Sequence, residues 1–239
     1  RKLTGLTTAG DIAFLAQTNA ASSSTKVSSD MYIRDMAVRD GTTVYSLETN
    51  NATYTYIRTW SVANLNSVTI PGFGFASTSS FKGLSLDASA IYLTDVSSGF
   101  LRKIDINNGS YYSESRFVNN PVGVINLPLS SLLVSESGTG RILRFANDLN
   151  SDPTWSSDLV GDPGYIFRSA TTQNIYVVDQ TDNTIKVVAS TGALLYSFGS
   201  TAIGPGRILD PHSLVAIEND IYITDYTQNL IIRFRGDTW

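Results

Sequence analysis

The chain has 239 residues, with 17 Lys and Arg against 21 Asp and Glu, for a formal net charge of −4. Hydrophobic residues are 42% and charged residues only 16%, so a core can form, and polarity rests on the 55 Ser and Thr residues more than on charge. With no cysteine and one histidine, disulfides, thiolate metal sites and two-histidine metal sites are excluded, and the net charge has the wrong sign for a phosphate-backbone binder.

The elements follow one repeating pattern. Near the start, Leu3 to Leu6 and then Ile12-Ala-Phe-Leu-Ala16 read as two short strands, and the low-complexity run Ala20 to Asp30 reads as a long loop. Next come Met36 to Val38, then Val44-Tyr-Ser-Leu-Glu48, then Tyr54 to Ile57. From there the copies sharpen. Ile91-Tyr-Leu-Thr-Asp95, Leu132-Leu-Val-Ser-Glu136, Ile175-Tyr-Val-Val-Asp179 and Ile221-Tyr-Ile-Thr-Asp225 each end in an acid. Each follows a shorter apolar run, at Gly83, Gly123, Tyr165 and Ser213, and precedes another that carries Leu101, Ile142, Ile185 or Ile231. A unit therefore reads strand, turn, strand, polar loop, strand, and a fourth, outer strand is expected after it, as at Leu194 to Phe198.

The anchors at 16, 48, 95, 136, 179 and 225 are 32, 47, 41, 43 and 46 residues apart, and five of the six are acidic. A period of about 40–50 with three or four strands per unit is the arithmetic of a β-propeller blade. The expectation is an all-β, six-bladed propeller occupying 1–239 as one domain. Because the chain opens on Arg1, it is expected to be a segment of a longer product. No apolar run approaches the roughly 18 residues of a membrane span. The recurrent acids read as structural, each accepting backbone N–H bonds from the loop that follows it. After Phe234 only five residues remain, too few for a hairpin and a strand. Blade six is therefore expected to lack its outer strand and to expose an edge open to strand addition, possible for a neighbouring subunit.

The units Pro121-Val-Gly-Val124 with Glu136 and Arg141 to Phe145, and Pro211 with Asp225 and Asn229 to Phe234, resemble the NHL repeat. That resemblance implies a six-bladed propeller of a group that spans RNA-binding and protein-binding modules and lyase and lactonase enzymes. Asp210-Pro-His-Ser-Leu214 is similar to a stretch of the peptidyl-hydroxyglycine amidating lyase, in which the histidine, here His212, would be a zinc ligand. That lyase needs three histidines, so its zinc site cannot be assembled. Lactonase-type propellers hold a cation on oxygen ligands, for which Asp35, Asp87, Asn126 and Glu218 are the residues of suitable type, but they occupy different offsets in their blades.

Together these features are read as a non-enzymatic interaction or assembly module, binding protein or glycan, of a larger extracellular or cell-surface protein. It has no catalytic residues, cofactor or metal, and no nucleic-acid partner. The alternatives are a metal-dependent lyase or lactonase and an RNA-binding NHL propeller. Arg34, Lys82, Tyr165 and His212 are the expected contacts on the channel face, and Asn51 and Asn108 open glycosylation sequons. Arg235-Gly-Asp237 reads as a turn.

Overall fold

The computed structural model describes residues 31–235, apart from 40, 51–53, 62–66, 77–79, 159–160, 200, 202–206 and 218–219. Within them the chain forms nineteen strands and no helix. The first sheet holds β1 (Met31–Val38), β2 (Thr43–Asn50), β3 (Tyr54–Ser61) and β4 (Ser67–Ala76). The second holds β5 (Phe81–Leu86), β6 (Ala90–Asp95), β7 (Phe100–Asp105) and β8 (Tyr111–Phe117). The third holds β9 (Pro121–Leu127), β10 (Ser131–Glu136), β11 (Arg141–Ala146) and β12 (Ser151–Asp158). The fourth holds β13 (Pro163–Arg168), β14 (Ile175–Asp179), β15 (Thr184–Val188) and β16 (Leu194–Phe198). The fifth has three strands, β17 (Pro211–Ile217), β18 (Asp220–Asp225) and β19 (Leu230–Arg235). Strand order follows chain order in every sheet, with antiparallel neighbours.

The described residues thus form five sheets, where the repeat count predicted six. The missing unit is the one anchored at Ala16, within residues 1–30 and outside the described residues, as is the loop predicted over Ala20 to Asp30. Its anchor is the one with no carboxylate to fix a turn.

The chain divides into two compact units, residues 1–98 with 102–115, and residues 99–101 with 116–239. In the first, Leu47, Ile57, Phe81, Leu84, Ile91, Leu93 and Ile104 share one core. In the second, one core gathers Leu133, Ile142, Ile166, Val177 and Val188, and another gathers Val178, Ile185, Val187, Ile208, Leu214, Ile223 and Phe234. The second strand of a sheet is the most buried: every residue of β6, β10 and β14 is buried. That explains their continuous apolar runs, since a strand covered on both faces has no reason to alternate. The equivalent residues Tyr45, Tyr92, Leu133 and Tyr176 are all buried. Tyr222, in the last sheet, is only half-buried and lies under the Arg233 guanidinium at 6.0 Å.

The turn after four of the anchor acids also repeats. Four residues beyond Asp95, Glu136, Asp179 and Asp225 stand Gly99, Gly140, Asn183 and Asn229, all with φ between +52° and +72°. Glycine enters this region freely and asparagine more easily than most residues, which is why only these two types occupy the position.

Candidate functional site

The five anchor acids Glu48, Asp95, Glu136, Asp179 and Asp225 are all buried. A buried carboxylate is tolerable only when its oxygens are bonded. Asp95 accepts from the hydroxyls of Ser97 and Ser98 and from Arg102 Nε at 3.0 Å. Burial pushes its carboxyl up, but the bonds from Ser98, Ser97 and Arg102 outweigh that and hold it below the usual carboxylate range. Asp225 accepts backbone N–H bonds from Leu209, Asp210 and Gln228, and these with the Gln228 amide likewise outweigh burial and lower it. Asp179 accepts from the amides of Asp162, Thr181 and Asp182 and pairs with the buried Lys186. Glu136 accepts from Asn119 N–H and the Thr139 hydroxyl. Glu48 closes a relay in which Trp60 Nε1 donates to Ser46 Oγ, and Ser46 Oγ donates to Glu48 Oε1. Asp95, Asp179 and Asp225 accept backbone N–H bonds from the loop that follows, as predicted. Glu136, Asp179 and Asp225 also tie the segment entering the sheet to the turn between its second and third strands.

A second repeated feature was not visible in the sequence. The anchors pair with Ile33, Phe81, Pro121, Pro163 and Pro211 on the leading strands, and in every sheet the register shifts beside that pair. The next residue on each leading strand is Arg34, Lys82, Val122, Gly164 or His212. A bulge re-aims a side chain and twists its strand. Arg34, Lys82 and His212 are exposed, so three of the four predicted contact residues hold the same bulge position, two in the first unit and one in the second. Tyr165 sits one residue further along and is half-buried. His212 lies 6.2 Å from the ring of Tyr226, which is 73% exposed.

Bonds at the bulge link neighbouring leading strands within a unit. Gly123 N–H donates to Ser135 Oγ at 2.7 Å, and Ser135 Oγ donates to the Gly164 carbonyl at 2.6 Å. Gly83 and Ser213 make the same donation to Thr94 and Thr224. In the first unit Asp35 takes this place. Its oxygens accept from Met36 N–H at 2.8 Å and from Leu84 N–H on β5 at 2.7 Å. Burial dominates and pushes its carboxyl up to about 7, against those two amides.

The residues considered as cation ligands are not brought together. Asp87 is occupied by Ser89, Ala90 and the Tyr92 hydroxyl in the turn between β5 and β6. Asn126 is on β9 in the other unit, and Glu218 lies outside the described residues. No cluster of three potential His, Cys, Asp or Glu ligands occurs among the described residues. Asn108 is exposed in the turn between β7 and β8, where its side chain accepts from Ser110 N–H. Asn51, Gly236 and Asp237 lie outside the described residues.

The remaining surface feature is apolar. On β16, Leu194, Leu195 and Tyr196 are 52%, 49% and 42% exposed, and on β19, Leu230 and Ile231 are 55% and 49% exposed. The two strands adjoin, with the Phe198 and Phe234 rings 5.0 Å apart. Sequence reasoning took Leu194 to Phe198 as an outer strand, and its apolar composition alone gave no sign that four of five residues face solvent.

No protein-family profile and no curated protein matches this sequence, so the NHL resemblance rests on its motif residues. Solved structures do match. Nidogen in a nidogen/laminin complex is 16% identical with a TM-score of 0.63, over 86% of this chain and 76% of that one. The chain is a β-propeller. Virginiamycin B lyase from Staphylococcus aureus is similar to this propeller with a TM-score of 0.58 at 14% identity, over 84% of this chain and 68% of that one. A Bacteroides thetaiotaomicron protein of unknown function matches with a TM-score of 0.63 at 12% identity, over 83% of this chain and 57% of that one. The propeller fold therefore occurs both in a protein solved with a protein partner and in an enzyme, and fold alone does not choose between them.

Proposed function

We propose that this propeller is a non-enzymatic protein-interaction module of an extracellular or cell-surface protein, and that it engages its partner at the edge of the last sheet. The observation that carries this reading is the β19 edge. Among the described residues it has no fourth strand beside it, and it presents Leu230 and Ile231 to solvent. An open strand with exposed apolar side chains offers both backbone hydrogen bonds and hydrophobic area to an added strand. The expected edge was assigned to a sixth blade, and it belongs to the fifth described sheet. The anchor carboxylates Asp95, Glu136, Asp179 and Asp225 are spent on holding their own turns, which favours binding over catalysis at those positions. The likeness to nidogen, solved with laminin, is in keeping with a protein partner. In a secreted setting, the exposed Asn108 would accept a glycan in the turn between β7 and β8.

The test compares wild type with a Leu230→Lys, Ile231→Lys double variant, both immobilised and incubated with an extracellular extract. A protein held by wild type and released by the variant, with both proteins showing the same circular dichroism, is the expected result. Equal retention by both overturns the assignment of the edge.

A further inference from the structure

β16 differs from every other terminal strand of a sheet in having no guard against edge pairing. Natural sheets blunt their edges with proline, charge or a cover. β4 contains Pro71, which cannot donate to a neighbour, and β12 contains Pro153 and ends on the exposed Asp158. β8 has the exposed Arg116, and β19 has Arg233, paired with Asp220. β16 is Leu194-Leu-Tyr-Ser-Phe198, with no charge and no proline, and its first four residues are exposed on both faces. Its one hydrogen-bonded neighbour among the described strands is β15.

We propose that β16 pairs with β16 of a second copy of this chain, antiparallel about a two-fold axis, making the propeller a homodimer. This names a partner for one part of the apolar rim and rests on the interaction reading above, at a different strand from β19. The argument for a second copy is charge. A two-fold contact sets each group near its own image, so any charge on the strand would face its like. β16 is uncharged, and the nearest cation, Lys186 opposite Ser197, is buried and neutralised by Asp179. A two-fold centred on Tyr196 pairs all five residues of both strands. It sets each exposed Tyr196 beside its own image, and Leu194 and Leu195 beside Phe198 and Ser197 of the other copy, which shields part of their apolar surface.

The chain has no cysteine, so a single introduced thiol can form a disulfide only with another copy. At a directly opposed antiparallel position the Cβ atoms lie about 5 Å apart, within reach of a disulfide after small adjustment. Analytical ultracentrifugation of wild type at about 100 µM is expected to show twice the 25.9 kDa mass, falling to one on dilution, with Leu195→Lys raising the dissociation constant at least roughly 100-fold. Under mild oxidation Tyr196→Cys should give a covalent dimer, and Leu129→Cys, at a residue 94% exposed in the turn between β9 and β10, should not. A wild-type monomer at that concentration overturns the proposal. So does a dimer that survives Leu195→Lys, or equal cross-linking from positions 196 and 129. Because Leu195→Lys leaves β19 unchanged, its retention of an extract protein separates failure of self-pairing from failure of the interaction reading.

Discussion

Lys186 and Asp179 form a buried ion pair, in which Asp179 also holds three backbone N–H donors and Lys186 has Asp182 3.7 Å away. Removing one partner strands the other in a poorly hydrated site, which typically costs about 3–5 kcal/mol. Lys186→Met should lower the unfolding free energy by that order in a urea titration, and Asp179→Leu, which also leaves the Asp162, Thr181 and Asp182 N–H groups without their acceptor, should lower it further. Asp35 makes a prediction of opposite character. Its folded-state pKa of about 7 lies above the ordinary value, so between about pH 4 and pH 7 the folded chain holds a proton that the unfolded chain has released. Stability from this group is therefore greatest at the acid end of that window and falls as pH rises through 7. Asp35→Asn cannot titrate, and its amide nitrogen would face either the Met36 or the Leu84 N–H, so it should be less stable than wild type. That deficit should shrink as pH rises from 5 to 8, measured by denaturant unfolding at each pH. A constant deficit would remove Asp35 as the titrating group.

At the scale of the element, the bulge beside each anchor explains where the sequence was informative and where it was silent. The second strands were legible because burial on both faces writes a continuous apolar run ending in an acid, as in Ile91 to Asp95. The bulges were not, because a register shift depends on the paired strand. Nothing in Lys82 or His212 alone says that the ladder slips there, although Pro211 and Pro163 beside their anchors hinted at it. Gly123 shows how tightly the bulge is packed. A Cβ at that position would lie 2.8 Å from the Gly164 carbonyl oxygen and 3.1 Å from Ile166 N, both backbone atoms. Gly123→Ala should therefore cost about 1–3 kcal/mol, read from the shift in urea midpoint. Gly164→Ala, whose Cβ would meet nothing nearer than 3.5 Å, should cost less. Equal losses would mean that flexibility, not contact, decides.

Across the whole molecule, the propeller followed from the spacing of the acids, and the number of blades did not. Counting anchors gave equal weight to Ala16, which lacks the carboxylate that organises the other turns, and the described residues form five sheets. The contact candidates were legible in part. Arg34, Lys82 and His212 share one position, and a last blade short of a strand was anticipated and matches the three described strands β17 to β19, but the exposure of β16 was not, since a Leu, Tyr or Phe looks the same in sequence whether or not another strand covers it. The acid locks carry a consequence for ancestry. The hydrogen bonds described above for each of Asp95, Glu136, Asp179 and Asp225 come from within its own sheet or the short segment that enters it. A duplication or loss of one such stretch of about 40 residues would carry its lock with it and leave those of the other sheets whole. Blade number can then change in a single genetic step without any buried carboxylate being orphaned.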